Sequence, residues 1–557
     1  MNSLTPAERI KLEQERLSRQ KRRNEELDSP DVKQKDSAEK SVKRIKIGST
    51  GIADNEIIEI SDDDDDDDKH ASTGSKAQAS TSRAVISKAS DHGTMFWEGE
   101  SRSVRNQLVS NPAKTFSLEE IVGEKSELEL VVAASFCWEM DWFTQHLPDP
   151  AEVPTVILTQ PTGDYNGRVK EADEYTEGFK LASVVSFAFL PGGFGCQHMK
   201  FLLLFYKTGR LRVVITSANM RSADWYIMDN TVFVQDVMRQ STSRDAAMFP
   251  HSWPTQFEKL FQNTRMAQAF EHLRRHHGKR QSAILASASD RSSFFLHQWD
   301  WTRVKSILVM SLPGSHGEGE KLGMVSVAVQ LRDKGWIPSP NETTFAEYQS
   351  SSLCKLTPKW AYHFHACLSG KPMAEIAKMK IPSKLTAAEP PIKVLYPTLK
   401  TVDDTLLGRE GGGSMFCTPS HFTTETRPYF ADSVCKYGSL LMHTKMILCM
   451  FRRSNQVSLQ THTSVGDSSS NPTAGAIGGW AYVAGSHNLS QAAWGHLSFP
   501  QGNAKIYIKN YELGVILPLP QHDLGRAADQ LATWKRPARL YAANDEPFMQ
   551  TVHLQSQ

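Results

Sequence analysis

Two short segments of this chain carry the same reactive side chains at the same offsets. The first reads His198-Met199-Lys200-Phe201-Leu202-Leu203-Leu204-Phe205-Tyr206, followed by Ser217-Ala218-Asn219-Met220-Arg221-Ser222-Ala223-Asp224-Trp225. The second reads His443-Thr444-Lys445-Met446-Ile447-Leu448-Cys449-Met450-Phe451, followed by Ser486-His487-Asn488-Leu489-Ser490-Gln491-Ala492-Ala493-Trp494. His, Lys, Leu, Ser, Asn, Ala and Trp agree at corresponding positions, and the spacing differs only in the loop between Lys and Asn. A duplicated domain explains the match.

Each copy offers an imidazole, an ammonium and a carboxamide. His and Lys two residues apart on a strand point to one face. The residues behind them are almost all apolar, so the strand should be buried on both sides. A lysine at the mouth of such a strand is costly unless it meets an anion or a carboxylate. The Ser-x-Asn segment precedes a helical stretch, which is expected to place the amide near a helix N-terminus, a position that favours an anion. Two such half-sites suffice for in-line phosphoryl transfer without a metal. One histidine attacks phosphorus and the other protonates the leaving oxygen. The lysines and asparagines bind the oxygens on which charge develops.

Strand-like runs surround both copies. Leu128–Phe136, Thr155–Leu158, Ala182–Phe189, Phe201–Tyr206 and Leu211–Ile215 form one series; Val304–Ser311, Ile392–Tyr396, Met442–Phe451, Trp480–Ala484 and Tyr511–Leu517 form another. Helical stretches such as Pro254–His277 lie between them, so an α/β fold with a mixed sheet flanked by helices in each half is expected.

The paired His-x-Lys resembles the phospholipase D superfamily. The aspartate usual five residues after the lysine is replaced by Phe205 and Met450, and the form with a distant Asn is similar to tyrosyl-DNA phosphodiesterases. Tyr511-Glu512-Leu513-Gly514-Val515, Tyr396-Pro397 and Gly412-Gly413-Ser414 also agree with that family. The resemblance runs from about residue 96 to the C-terminus. It implies a duplicated phospholipase D-like domain with the active site between the halves. It also implies hydrolysis of 3′-phosphotyrosyl bonds left by stalled type I topoisomerase, and of other 3′-blocking groups, with no cofactor. By resemblance His198 is the nucleophile and His443 the general acid and later base. Lys200, Lys445, Asn219 and Asn488 hold phosphate oxygens, Glu512 orients a histidine, and Asn230 takes the matching place in the first half, where some relatives carry Gln. Phe194 resembles an aromatic that stacks on a DNA base, and Ser351 and Ser352 resemble DNA phosphate contacts. The partner is then single- or double-stranded DNA with a tyrosine or peptide adduct at its 3′-end, and the protein is expected to act as a monomer. The alternatives are another phosphodiesterase or nuclease of the superfamily, and a catalytically dead DNA-end-binding scaffold, against which the intact His, Lys and Asn of both halves argue.

The chain has 557 residues, a formal net charge of +1 and seven cysteines without a CxxC pair. Residues 1–95 read as a disordered, polar tail, 96–300 as the first half and 301–557 as the second, with a Ser/Gly-rich insertion at 462–479. The tail carries two basic clusters, Arg19–Arg23 and Lys43–Lys46, that resemble a nuclear import signal. Ile57–Ile60 beside the aspartates Asp62–Asp68 resembles a SUMO-interacting motif or, equally, a solvating acidic tract. The acidic run leaves the folded part more basic than the whole, which is compatible with a polyanionic partner. No apolar stretch approaches a membrane span and no signal peptide is visible. His272, His276 and His277, and the pair His363/His365, have spacings compatible with metal but read as a basic helix face and a buried pair. Gly411–Ser414 could sit near phosphate.

Overall fold

The computed structural model describes residues 94–111, 113–160, 183–188, 190, 195–240, 252–277, 282–289, 295–386, 389–453 and 475–554. All of them belong to the compact unit that begins at His92. The basic clusters, the Ile57–Ile60 motif, the aspartate run and Phe194 lie outside the described residues. Ordered packing starts slightly before the expected boundary: Arg212 donates to the carbonyl of Thr94 at 2.9 Å.

The strands of the first half are β1 (Glu100–Ser103), β2 (Leu128–Ala134), β3 (Thr155–Thr159), β4 (Ser183–Phe187), β5 (Phe201–Tyr206), β6 (Arg210–Thr216) and β7 (Thr231–Met238). Those of the second are β8 (Ile307–Ser311), β9 (Gly314–Gly317), β10 (Glu342–Gln349), β11 (Ile392–Tyr396), β12 (Phe430–Asp432), β13 (Lys445–Arg453), β14 (Ala476–Gly485), β15 (His496–Ser498), β16 (Lys505–Ile508) and β17 (Glu512–Pro518). The first sheet has the order β1-β7-β6-β5-β2-β3-β4, and the second, read from its β8 edge, β8-β17-β14-β13-β10-β11-β12. In each, the three strands at one end run parallel and every other pairing is antiparallel. The sequence repeat is therefore a repeat of topology, with β5 matching β13 and β7 matching β17.

β5 is buried along its whole length, as its apolar run implies. Leu203 and Phe205 enter the main core, which both sheets share with the helices Ser252–Asn263 and Met266–His276. Leu202, Leu204 and Tyr206 face a second core under the helix Leu118–Val122. Each fully buried large apolar side chain contributes about 1.5–3 kcal/mol, so the two-sided burial fixes β5 firmly. The expected single helix Pro254–His277 is instead two helices broken at Thr264–Arg265, where Arg265 adopts a left-handed backbone with φ 55°. The Gly-rich end of the expected insertion is also strand: Gly478 and Gly479 pair with Phe451 and Met450. A β-carbon on Gly479 would stand 2.2 Å from the carbonyl oxygen of Cys449, so glycine permits that pairing.

Candidate active site

The two His-x-Lys segments enter the central strands β5 and β13, and each is held by the opposite half. His198 N–H donates to the carbonyl of Tyr511 at 3.0 Å, just before β17. His443 N–H donates to the carbonyl of Asp229 at 2.9 Å, just before β7. Because β7 and β17 correspond, the exchange is reciprocal. It brings the next residue of each strand to the opposite imidazole: His198 Nδ1 lies 2.8 Å from Glu512 Oε2, and His443 Nδ1 lies 3.1 Å from Asn230 Oδ1. The repeated serine fixes each orienting group. Ser486 Oγ donates to Glu512 at 2.6 Å and Ser217 Oγ donates to Asn230 Oδ1 at 2.8 Å. With Nδ1 donating its proton, each neutral imidazole presents Nε2 as a lone pair.

Lys200 and Lys445 are completely buried, and each ammonium donates to the carbonyl of the histidine two residues earlier, at 2.6 and 2.5 Å. Each ammonium keeps further N–H donors beyond that bond. The asparagines are also held. Asn219 Nδ2 donates to Asp224 Oδ1 at 3.0 Å, and its Oδ1 accepts from Cys137 N–H at 3.3 Å. Asn488 Oδ1 accepts from Ser352 N–H at 3.1 Å, Ser350 Oγ at 3.1 Å and Ser351 Oγ at 3.3 Å.

Burial dominates the electrostatics. It pushes His198 down to about 4, with Glu512 opposing the shift and Lys200 reinforcing it. Burial and then Lys445, Lys200, His198 and Arg221 hold His443 well below its ordinary value. Lys200 is pushed down to about 8 by burial, and burial and Lys200 lower Lys445 well below the usual amine range. Burial alone would raise Glu512, but His198 and other cationic neighbours outweigh it and hold the carboxyl at about 2. At neutral pH both imidazoles are therefore neutral and Glu512 is charged.

Not every expectation survives unaltered. Neither asparagine sits on a helix N-terminus. The following helices, Ser222–Tyr226 and Gln491–Trp494, begin beyond them, and the hydroxyl of Ser490 already caps Ala493 N–H. Asn219 N–H is bound by Asp224 Oδ1 at 2.9 Å. Ser351 is buried on Asn488 rather than displayed at the surface, and Ser352 meets the same amide through its backbone. The Gly-rich turn packs against Phe548, whose ring leaves no room for a β-carbon on Gly412. His272 and His276 lie ring against tilted ring on a basic helix, and His365 is bonded to the carbonyl of Thr344. Among the described residues no three His, Cys, Asp or Glu side chains group as metal ligands.

Three features escaped the sequence reading. Ser135 and Ser350 end β2 and β10 and make matching clamps. Ser135 Oγ donates to Cys137 carbonyl at 2.6 Å and accepts from Met220 N–H at 3.0 Å; Ser350 Oγ donates to Ser352 carbonyl at 2.7 Å and accepts from Leu489 N–H at 3.0 Å. The Phe136 ring stands edge-on to His198 with centroids 5.0 Å apart. Asp224, wholly buried, faces Ala493 in the repeat, and that mismatch of a carboxylate against a methyl was its available signal.

Two mixed sheets of the same topology, each holding the histidine of the other across their junction, define a duplicated phospholipase D-like fold. The family model described as "Tyrosyl-DNA phosphodiesterase" matches residues 101–549, and the chain belongs to that family. It is accordingly a phosphoric-diester hydrolase of DNA repair. Tyrosyl-DNA phosphodiesterase 1 of Drosophila melanogaster is 22% identical over 462 residues, spanning 78% of this chain and 70% of the relative. The crystal structure of the yeast tyrosyl-DNA phosphodiesterase superimposes with TM-score 0.54 at 15% identity, over 81% of this chain and 100% of that one, and shares its fold. A histidine variant of the yeast enzyme gives TM-score 0.53 over the same 81% of this chain, at 15% identity and 100% coverage of its own length.

Proposed function

We propose that this enzyme hydrolyses 3′-phosphotyrosyl DNA, and related 3′-blocking groups, through a phosphohistidine on His198. The reciprocal orientation of His198 by Glu512 and His443 by Asn230 carries the assignment. It gives each imidazole a fixed Nδ1–H and a free Nε2, as a nucleophile and a proton carrier both need.

In the first step His198 Nε2 attacks phosphorus, a P–N bond forms and the P–O bond to the tyrosyl oxygen breaks. Glu512 stabilises the positive charge growing on the ring of His198. The leaving oxygen takes a proton from His443 Nε2. Burial and the cationic neighbours keep His443 neutral in the free enzyme, so His443 takes up a proton from solvent at Nε2 as the phosphodiester binds. The phosphodiester's negative charge between Lys200 and Lys445 offsets the field that disfavours imidazolium. In the second step neutral His443 takes a proton from water, the hydroxide attacks phosphorus and the P–N bond breaks. The products are a 3′-phosphate and restored His198. Lys200, Lys445, Asn219 and Asn488 bind the equatorial oxygens throughout. Action in the nucleus fits a DNA substrate and the two basic clusters in the tail, and Ile57–Ile60 beside the aspartates is proposed as a SUMO contact, tested by binding of the full chain to immobilised SUMO.

The test is a denaturing gel with a 5′-labelled 3′-phosphotyrosyl oligonucleotide in EDTA. His443→Ala should accumulate protein joined covalently to DNA, because removal of an acid–base group costs about 10²–10⁴-fold and the water step depends on it most. His198→Ala and the double variant should show no adduct. A shifted band in His198→Ala alone reverses the two roles, and a strict requirement for added divalent ion overturns the mechanism.

A further inference from the structure

We propose that Asp224 is a positioning residue that joins Asn219 of one half to His443 of the other and stabilises the protonated form of His443. The assignment rests on the proposed roles of these two residues.

The two histidines are not served equally by their orienters. Glu512 gives His198 a carboxylate at 2.8 Å, whereas Asn230 gives His443 only a neutral amide at 3.1 Å. The missing charge is supplied from beside it. Asp224 Oδ1 lies 3.3 Å from His443 Nδ1. The same oxygen accepts from Asn219 N–H at 2.9 Å and from Asn219 Nδ2 at 3.0 Å. One carboxylate oxygen thus touches a phosphate-binding amide and the acid–base imidazole together.

The rest of Asp224 is arranged to keep that oxygen in place. Oδ2 accepts from Arg221 Nε at 2.9 Å and Nη2 at 2.8 Å. The Asp224 carbonyl accepts from Asn230 Nδ2 at 2.9 Å, which fixes which way the Asn230 amide faces. The charged groups that act most strongly on His443, namely Lys445, Lys200, His198 and Arg221, all oppose its protonation. Asp229, which bonds the His443 backbone, turns its carboxylate to Thr444 Oγ1 at 2.9 Å. Asp224 is therefore the carboxylate placed to favour the imidazolium that forms when His443 Nε2 takes a proton from water. The repeat carries Ala493 at the corresponding position, where Glu512 already serves the opposite histidine.

Two variants with opposite expected signs test this. Asp224→Asn keeps the size and removes the charge. Arg221→Gln leaves Asp224 in place and removes its counter-charge, on a side chain that is partly exposed. Adduct formation and adduct decay are measured separately by single turnover between about pH 4 and 9. Asp224→Asn should slow decay by about 10–100-fold, in the range typical of lost orienting partners, and move its acidic limb to lower pH. Arg221→Gln should move the same limb to higher pH. A purely structural role predicts lower thermal stability without opposed shifts. If Asp224→Asn does not fold, Arg221→Gln decides alone, and an unchanged limb there overturns the proposal. Decay at the wild-type rate in folded Asp224→Asn also overturns it. Failure of the mechanism itself looks different, since no adduct would then appear even with His443→Ala.

Discussion

Glu512 reaches across from the second half to hold His198 of the first, Oε2 to Nδ1 at 2.8 Å, and is itself completely enclosed by Ser486, Asn510 and that imidazole. Neither half contains both His198 and Glu512, so this pair forms only when the two sheets are docked. Glu512→Gln preserves an acceptor and removes the charge. Because His198 is already neutral at pH 7, its protonation state there should not change. The loss comes from the uncompensated positive charge on the ring during attack. Adduct formation should slow by about 10–100-fold, with the acidic limb moving below about 4, since Glu512 is what raises His198. Single-turnover rates against pH check both.

Gly195 lies at a close approach between the halves. Its φ is +93°, and a β-carbon there would stand 1.8 Å from the carbonyl oxygen of Lys509. The segment then runs through Cys196, whose N–H donates to Asn510 at 3.2 Å, to His198. Gly195→Ala should cost about 1–3 kcal/mol in backbone strain and push this segment away from β17. A displacement of that size typically costs about 10²-fold in rate. Gly123 is the control, with φ +63° but open space around it. Gly123→Ala should lower thermal stability and leave turnover intact.

Much of this site was legible because its chemistry is duplicated. His198, Lys200 and their counterparts stand out as polar side chains heading apolar strands, and Asn219 and Asn488 as amides just past the ends of strands, at repeated offsets. What stayed hidden lies where the pattern is polar for structural reasons. β7 reads TVFVQDVM, and its Asp236 obscures a strand because the partner that neutralises it, Arg212 at 2.8 Å, lies on the neighbouring strand β6. β10 is masked in the same way by Glu347, which pairs with Arg536 at 2.8 Å. Ser135 and Ser350 differ in their surroundings and act through backbone groups, so side-chain matching misses them. The break at Arg265 has no proline or glycine to announce it.

The serine clamps should behave alike in the two halves. Ser350→Ala leaves Leu489 N–H without its acceptor and removes one donor from Asn488 Oδ1. Ser135→Ala does the same to Met220 N–H. An orphaned buried donor costs about 1–3 kcal/mol, so each variant should melt at lower temperature. Only Ser350→Ala touches the catalytic amide directly. It should raise KM for a 3′-phosphotyrosyl oligonucleotide more than Ser135→Ala does, and steady-state kinetics beside thermal melts separate the two effects.

The last expectation concerns the lysines and the upper pH limit. Lys200 is completely buried, and burial lowers it to about 8. Lys445 is lowered in the same direction by burial and by Lys200. A lysine binds phosphate oxygens as a cation, so its contribution is present below its pKa and lost as pH rises through it. His198 attacks as the neutral imidazole, so its contribution appears as pH rises through about 4. The pH dependence of kcat/KM reports the free enzyme, and it should form a bell with a lower limb near pH 4 and an upper limb no higher than about pH 8, since Lys445 is lowered as well. Above the upper limb KM should climb while kcat changes less, because bound phosphate holds the ammonium in its charged form. Lys200→Met should lower kcat/KM by about 10²–10³-fold, the loss typical of removing a group that stabilises transition-state charge, and should alter the upper limb and move the lower one to higher pH, since Lys200 helps hold His198 down. Initial rates from pH 3.5 to 10 on a short oligonucleotide measure this. A wild-type upper limb near the ordinary lysine range of about 10.4 would mean that the buried ammonium groups are stabilised by something other than substrate phosphate.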